Sequence, residues 1–211
     1  MKKEIAQTLY EWELRDRRGR LIKKGRGKSH SWLKIVLLML KGEFATRYAE
    51  TVGNGNESIP DQDGNLRNYP FHSGSGYGTY FMNWSALGDT GDINQGIAIG
   101  SDDTPNDVNQ FGLNSKIAHG SESGQLLYGA MTVESPTNPS GGIWQFRAIR
   151  TFTNNSGADV IVKEVGFIVR KFDAAHSGRS WCLIRDVLDS PITIPDGASF
   201  TWRYIFQLQV S

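Results

Sequence analysis

The sequence predicts a mainly β protein, an antiparallel β-sandwich of the jelly-roll type with an N-terminal hairpin and one amphipathic helix. The chain carries 24 glycines in 211 residues, and clusters of Gly, Asn, Ser and Asp separate short runs of β-branched and aromatic residues. From Gly96 onward these turn signals recur roughly every ten residues, a spacing typical of sandwiches and barrels. An aromatic content of 11% excludes a disordered chain.

The first segment of the chain predicts a β-hairpin. Residues 9–16 alternate between apolar and polar side chains, as a half-buried strand does. Residues 17–20 predict a tight turn, and residues 21–24 return as the second strand. Residues 25–28 have the sequence Gly-Arg-Gly-Lys, which predicts a flexible basic link.

One amphipathic helix is predicted after the hairpin. Ser29 or Ser31 caps its start, because a serine oxygen accepts backbone N–H groups that have no partner in the first turn. The helix ends near residues 41–42 or frays towards Tyr48. Its apolar side chains recur at spacings of three and four: Trp32, Ile35, Val36, Met39 and Leu40. Because this much apolar area is unusual for a surface helix, we expect it to pack on the β body or on another subunit.

Residues 53–92 predict an irregular region that is rich in glycine and aromatic residues. Residues 53–56, 61–65 and 74–78 are turn signals. A long aromatic loop is often functional or interfacial, because exposing that apolar surface promotes association. Together with the helix, it gives the predicted interface residues: Trp32, Ile35, Val36, Met39, Leu40, Tyr77, Tyr80 and Trp84.

Residues 96–211 carry the regular strand pattern. The predicted strands are residues 96–100, 126–133, 143–152, 160–170, 181–187, 191–194 and 200–210. Residues 143–152 alternate most clearly, and one face of that strand holds Trp144, Phe146, Ala148, Arg150 and Phe152. Gly166 predicts a β-bulge. Residues 101–109 form an acidic loop, and residues 136–142, 154–157 and 195–197 are turns.

Charge divides the chain into two predicted parts. Residues 1–50 hold 13 Lys and Arg against 6 Asp and Glu, a net charge of +7, whereas residues 51–211 carry a net charge of −6. We therefore predict a basic N-terminal extension of hairpin and helix, residues 1–50, that serves assembly. Residues 51–211 are the predicted β-sandwich domain, with the aromatic loop region at 53–92.

The basic arm of this extension predicts a contact with an acidic partner. Its residues are Arg15, Arg17, Arg18, Arg20, Lys23, Lys24, Arg26 and Lys28. No aromatic stacking platform is interleaved with them, apart from Trp12 and Trp32 at the edges. The pattern therefore favours docking on an acidic protein neighbour over contact with nucleic acid, whose binding would be strongly salt-dependent.

The sequence predicts no metal and no cofactor. Residues 61–65 resemble the start of a calcium loop, but His72 stands where an EF-hand has its last acidic ligand, so a polar turn is favoured. The cluster of Asp102, Asp103 and Asp107 has no distinctive ligand spacing, which favours a solvated loop over an adventitious cation. The lone Cys182 excludes an internal disulfide and predicts a buried strand cysteine.

Enzymatic and membrane functions find no support in the motifs. Residues 74–78 lack the spacing of a nucleophile elbow and the helix and lysine of a phosphate-binding loop. Residues 1–20 have no apolar signal-peptide core, and the apolar run at 35–40 is far shorter than the ~20 residues of a membrane-spanning helix. We predict neither an enzyme nor a membrane protein.

Three stretches of the chain together resemble virion structural proteins of tailed bacteriophages. The first comprises residues 97–105, 113–120 and 124–128, the second comprises residues 151–157 and 162–167, and the third is the closing segment 185–197. The turn at 16–19 before a Ser-led apolar helix also fits. The resemblance implies a non-enzymatic part of the tail, neck or capsid surface, assembled in the host bacterial cytoplasm into the virion. It also implies a homo-oligomer that assembles with other virion proteins by burying surface, without a cofactor.

A glycan- or host-receptor-binding module on the virion is the alternative function. β-Sandwiches that expose aromatic side chains next to acidic loops bind sugars. In this chain Tyr77, Tyr80 and Trp84 would form the platform.

Overall fold

The protein is mainly β, as predicted. The computed structural model describes residues 5–29, 32–45, 57–69, 84–107, 109–172 and 178–209. Within these ranges lies one helix, α1 (Lys34–Ala45). The strands are β1 (Ile5–Arg15), β2 (Leu21–Lys28), β3 (Glu57–Pro60), β4 (Leu66–Tyr69), β5 (Gly96–Gly100), β6 (Leu127–Tyr128), β7 (Thr132–Val133), β8 (Thr137–Ser140), β9 (Ile143–Thr153), β10 (Val160–Phe172), β11 (Gly178–Ile194) and β12 (Ser199–Gln209).

The strands form two main antiparallel sheets. The large sheet has the order β2-β1-β12-β9-β6, and β7 and β8 also pair with β9. The small sheet has the order β11-β10-β5, while β3 and β4 form a separate hairpin. This strand order is consistent with the predicted β-sandwich but does not confirm its jelly-roll connectivity.

The two sheets bury their facing side chains in one hydrophobic core. Side chains alternate along a strand, and the inward face of β12 carries Phe200, Trp202, Tyr204 and Phe206. The Tyr204 hydroxyl donates a hydrogen bond across the core to the carbonyl of Val165 in β10, at 3.2 Å. The ring of Phe167 lies 5.2 Å from that of Phe206, so aromatic side chains join the sheets directly.

The N-terminal hairpin is part of the large sheet. β1 pairs with β12 along its whole length, from Ile5 opposite Gln209 to Arg15 opposite Ser199. The division predicted at residue 50 is therefore not a division of this sheet.

The prediction of a flexible link at residues 25–28 is wrong, because these residues belong to β2. Gly25 lies opposite Trp12, and Gly27 lies opposite Tyr10. A Cβ atom on Gly25 would be 2.6 Å from Cε2 of the Trp12 ring, and the Tyr10 ring lies equally close over Gly27. The two glycines thus make room for aromatic rings in a regular strand.

Helix α1 packs on the protein's own β-structure, one of the two predicted outcomes. Ile35, Val36 and Met39 are buried, and the helix contacts β3 and β11. Before the helix, the N–H of Leu33 donates to the carbonyl of Leu183 at 2.9 Å. Ser29 is not the N-cap, since its hydroxyl donates to Asp186 at 3.1 Å; Ser31 lies outside the described residues.

Two connections differ from the predicted strand pattern. The predicted strand 126–133 is split into β6 and β7, because the Gly129 carbonyl between them turns to accept a hydrogen bond from Arg150. The predicted turn at 136–142 contains β8, which extends the large sheet through its pairing with β9.

The closing segment is also more continuous than predicted. β11 runs as one strand through Pro191, and its pairing with β10 shifts between Val162 and Glu164, which leaves residues 188–191 outside the ladder. Proline is tolerated at such irregularities because it needs no partner for a backbone N–H. Gly166 is regularly paired and is not a bulge; a side chain there would collide with Leu113.

Candidate functional site

An apolar groove opens at one end of the sandwich. Its volume is about 370 Å³. We call it the end groove, and its lining residues are Ala6, Gln7, Thr8, Trp32, Pro136, Trp144, Gln145, Phe146, Phe206, Gln207 and Leu208.

The end groove exists because the large sheet extends beyond its cover. Leu208 lies opposite Ala6 on β1 and Trp144 on β9, so these side chains form one row across the inward face. Trp144 is 52% exposed and Leu208 is 47% exposed. Further inward on the same face, Tyr204 is fully buried.

Aromatic contacts fix the floor and one wall of the end groove. The rings of Phe146 and Phe206 stack at 4.9 Å and 16°. Trp32 packs edge-on against Phe206 at 6.1 Å. Its indole Nε1 donates to the hydroxyl of Thr8 at 3.1 Å, although the side chain stays 46% exposed. The groove is therefore preformed by packed side chains.

A ladder of glutamines joins the strands at this end of the sheet. Gln7 Nε2 donates to Gln207 Oε1 at 2.6 Å, and Gln207 Nε2 donates to Gln145 Oε1 at 3.2 Å. These residues face each other across β1, β12 and β9. Their side-chain bonds hold the strands in register beside the groove.

The structure brings only Trp32 of the predicted interface residues to the end groove. Ile35, Val36 and Met39 are buried inside the chain itself, and Leu40 is half-buried against the core. Trp84 is also half-buried and packs against the core. Tyr77 and Tyr80 lie outside the described residues. Sequence reasoning missed Trp144, Phe146, Phe206 and Leu208 as surface residues because their alternation predicts only that they share a face.

The basic arm forms the outer edge of the large sheet and the turn beside it. Its tip is partly neutralised: Arg15 pairs with Glu13 at 2.8 Å, and Arg20 pairs with Asp16 at 2.7 Å. The remaining members lie along β2 or in the turn, and Arg18, Lys24 and Arg26 are exposed. The Lys23 Nζ lies 5.8 Å from the centroid of the Trp12 ring. Arg17 lies against Gly197.

Glu13 and Asp16 of this hairpin have lowered pKa values. The hydrogen bond from Arg15 lowers the pKa of Glu13, and the positive charges of Arg203 and Lys24 act in the same direction. The backbone N–H of Arg20 is the main cause of the lowered pKa of Asp16. A hollow of about 460 Å³ lies beside these charges, lined by Glu11, Trp12, Glu13, Lys24, Gly25 and Arg26.

A buried ion pair holds the acidic loop. Arg185 Nε donates to Glu164 Oε2 at 2.6 Å, and both side chains are fully buried. The same guanidinium donates to the carbonyl of Thr104 at 3.0 Å and to Asn106 Oδ1 at 2.7 Å. Glu164 also accepts the N–H of Ser115 at 2.8 Å. The ion pair joins β10 to β11, and the other bonds tie loops to the small sheet, so this network stabilises structure and leaves its oxygens occupied.

The predicted acidic cluster is used in the same way. Asp102 accepts from Asn114 at 3.0 Å and lies 3.3 Å from the Arg185 guanidinium. Asp103 pairs with Lys163 at 2.9 Å, and Asp107 accepts the N–H of Asn109 at 2.8 Å. The three carboxylates therefore point to separate protein partners.

A second buried arginine, Arg150, ties the large sheet to the loops around β5. Its guanidinium donates to four carbonyls at 2.8–3.0 Å, those of Asp89, Gln95, Ile97 and Gly129. It also lies 5.0 Å from the Tyr128 ring centroid. All three nitrogens are used, so Arg150 acts as a structural clamp.

Two further predicted sites have structural roles. The Asp61 carboxylate accepts the N–H groups of Asp63 and Asn65 and pairs with Arg67 at 2.8 Å, which makes residues 61–65 the favoured polar turn. Cys182 is buried as predicted, and burial raises the pKa of its thiol to about 12. Within the described ranges, no three His, Cys, Asp or Glu residues are grouped as metal ligands would be.

The comparisons with known proteins give no assignment. No protein-family model, no curated protein and no solved structure matches the chain. In the part of the chain that the structure describes, no helix is long and apolar enough to span a membrane.

Proposed function

We propose that the chain is a non-enzymatic structural component of a tailed-phage particle that works by assembling with other copies of itself and with other virion proteins. The observation that carries this proposal is the end groove, where large apolar side chains remain exposed on a well-packed scaffold. The resemblance of stretches within residues 97–128 and 151–167, and of residues 185–197, to virion proteins supports the particle as its location.

The occupant of the end groove is a second copy of this chain. Trp144 and Leu208 are half-exposed at its rim, whereas Phe146 and Phe206 are less exposed and form its floor. A protruding apolar rim beside an apolar hollow is a self-complementary surface, which suits a two-fold contact between identical chains. Because these side chains are already half-buried, covering the rest stabilises such a contact by about 1 kcal/mol each, roughly half the value for full burial.

The location is tested by mass spectrometry of purified particles from the phage that encodes the chain. Peptides of this protein, in a constant ratio to those of the major capsid protein, are the expected result. Their absence from intact particles would reject the virion assignment.

The interface is tested by light scattering of purified protein over a range of concentrations. Leu208→Glu places a charge at the groove rim and is expected to shift the protein to the monomer while the chain stays folded. Ile161→Glu is the matched control, because Ile161 is also 47% exposed but lies outside the groove. A wild-type protein that stays monomeric, or a Leu208→Glu variant that assembles like the control, would contradict the proposed contact.

The alternative glycan- or receptor-binding function gains no support from the described aromatic residues. Trp84, one member of its proposed platform, packs against the core. We therefore base the proposed function on assembly.

A further inference from the structure

Strand β2 is a free edge of the large sheet. Among the described residues it pairs only with β1, and it ends the strand order. Lys24, Arg26 and Lys28 are exposed along it. An edge strand presents unpaired backbone N–H and C=O groups, which are a template for another strand unless something covers them.

The register shows which backbone groups point outward. The N–H of Ser29 donates to the carbonyl of Thr8 at 2.9 Å, and the ladder continues with Lys28 opposite Leu9 and Gly27 opposite Tyr10. In an antiparallel pair, alternate residues direct both backbone groups to the partner strand. The backbone groups of Ser29, Gly27 and Gly25 therefore bond to β1. The backbone N–H and C=O groups of the alternate residues point away from β1; these residues are Lys24, Arg26 and Lys28.

The same three residues place their positive charges on one face of the sheet. Lys24 lies opposite Glu13 and Arg26 lies opposite Glu11, so these side chains share the face that points away from the core. An added strand that bonds to the outward groups would set every second residue directly beside a basic side chain. Opposite charges at such cross-strand positions are favourable, and like charges are unfavourable.

The other face of this edge carries two aromatic rings, with Lys23 Nζ 5.8 Å from the centroid of the Trp12 ring. Gly25 and Gly27 carry no side chains, and the rings of Trp12 and Tyr10 lie across them. An added strand would therefore set its intervening residues beside two rings. Aromatic or large apolar side chains suit those positions, because aromatic cross-strand pairs stabilise sheets.

β1 already shows this pattern on the opposite side of β2. Its residues 10–14, Tyr-Glu-Trp-Glu-Leu, alternate between acidic and apolar side chains, with Glu11 beside Arg26 and Trp12 over Gly25. We propose that β2 binds an extended segment of a partner protein by strand addition, and that this segment alternates acidic with aromatic or large apolar residues, as β1 does.

The charges on the edge select this partner over others. Two β2 strands from identical chains would set Lys and Arg side chains against each other, which disfavours edge-to-edge pairing of copies. Nucleic acid would meet Glu11 and Glu13 on the same face and would leave the outward backbone groups without partners. β2 contributes no residue to the end groove, so the inference stands independently of the contact proposed there.

The probe is a fluorescent peptide with the sequence of residues 9–14, Leu-Tyr-Glu-Trp-Glu-Leu, measured by anisotropy against the full-length protein. A matched peptide with both Glu replaced by Lys is the control. We expect the acidic peptide to bind at least about tenfold more tightly than the lysine peptide, because two cross-strand charge pairs change from attractive to repulsive. The triple variant K24Q/R26Q/K28Q is expected to remove this preference.

A proline variant separates strand addition from simple charge attraction. Arg26→Pro removes an N–H that points away from β1, so the hairpin keeps its own ladder. Arg26→Gln is the matched control, because it removes the same charge and keeps the N–H. We expect Arg26→Pro to bind the acidic peptide about tenfold more weakly than Arg26→Gln, with equal melting temperatures confirming that both fold.

The following outcomes overturn the proposal. Equal binding by Arg26→Pro and Arg26→Gln would mean that the peptide does not use the outward backbone groups, as when it replaces β1 or binds by charge alone. A duplex DNA oligonucleotide that binds more tightly than the acidic peptide would make nucleic acid the ligand. Peptide binding that is lost in Leu208→Glu would place the site in the end groove, and no binding at millimolar peptide would remove the site altogether.

Discussion

The network around Arg185 buries charged side chains, whereas the end groove exposes apolar ones. Arg185 and Glu164 are fully buried between loops and the small sheet, whereas Trp144 and Leu208 are half-exposed at the end of the large sheet. A buried charge is costly unless it is paired, so the network is satisfied within the chain. The apolar side chains at the rim of the end groove are not fully covered by the described part of the chain. The groove is therefore the region suited to binding.

This difference separates stability from interaction in the molecule. The carboxylates that resemble metal-binding clusters in the sequence, at residues 61–65 and 102–107, hold turns and loops in place. Trp144, Phe146 and Phe206 share strand faces with core residues in the sequence but line the end groove in the structure. Substitutions in the Arg185 network should therefore change stability, and substitutions in the end groove should change assembly.

Glu164→Ala should have the largest effect on stability. It leaves the Arg185 guanidinium buried without its carboxylate, and breaking a buried ion pair costs about 3–5 kcal/mol. The measurement is urea unfolding followed by tryptophan fluorescence. Leu208→Glu, on the half-exposed rim, should change the free energy of unfolding of the monomer, at a concentration too low for assembly, by no more than about 0.5 kcal/mol.

The double variant E164L/R185M sharpens this test. Replacing both buried charges by apolar side chains should restore much of the lost stability, because no charge is left unpaired. A Glu164→Ala variant as stable as the wild type would show that Asp102 and the carbonyl and amide partners suffice for Arg185.

Local patterns in the sequence predicted much of the fold. The alternation of residues 143–152 predicted β9 and placed Arg150 on the same face as Phe152, as the structure has them. The turn signals at Asn154 and Gly197 were also informative, and the two turns bond to each other through the Gly197 N–H and the Asn154 carbonyl at 2.7 Å. Alternation and turn chemistry are properties of neighbouring residues, so one sequence suffices to see them.

The end groove and the buried arginines depend on distant contacts. The four carbonyls that Arg150 binds lie 21 to 61 residues away along the chain. Whether Trp144 is core or surface depends on where the small sheet stops covering the large one. The sequence did not predict that β2 extends to residue 28, because its two glycines are typical of a flexible link. Only the structure shows that the rings of Trp12 and Tyr10 lie over them.

Gly25→Val should have the second largest effect, and it tests the aromatic face of β2. The new side chain would collide with the Trp12 ring, and overpacking of this kind costs about 1–3 kcal/mol. Gly141→Val is the matched control, because no atom lies within 4 Å of a Cβ at that turn position. Thermal unfolding measures both, and equal melting temperatures would mean that Trp12 moves away freely.

Alkaline pH should have the smallest effect, and it probes the interior separately from the surface. Burial raises the pKa of the Cys182 thiol from 9.0 to about 12. Below pH 9 the thiol is protonated in both states; above it the unfolded chain releases the proton while the folded chain keeps it. Stability should therefore begin to fall above pH 9, and between pH 9 and 10 this group should lower it by about 1 kcal/mol.

The interval from pH 9 to 10 isolates this thiol from the buried tyrosines. Burial also raises the pKa of Tyr128 and Tyr204, but their ordinary value of 10.0 delays their effect to higher pH. Cys182→Ala is the control. In this interval the folded protein keeps the thiol neutral, so its removal leaves the charges around Lys116 and Tyr204 unchanged. Urea unfolding at each pH should give a shallower decline for the variant, since its unfolded chain has no thiol proton to release. Equal slopes would mean that the thiol ionises in the folded protein, and that the interior beside Glu164 and Arg185 is open to water as the end groove is.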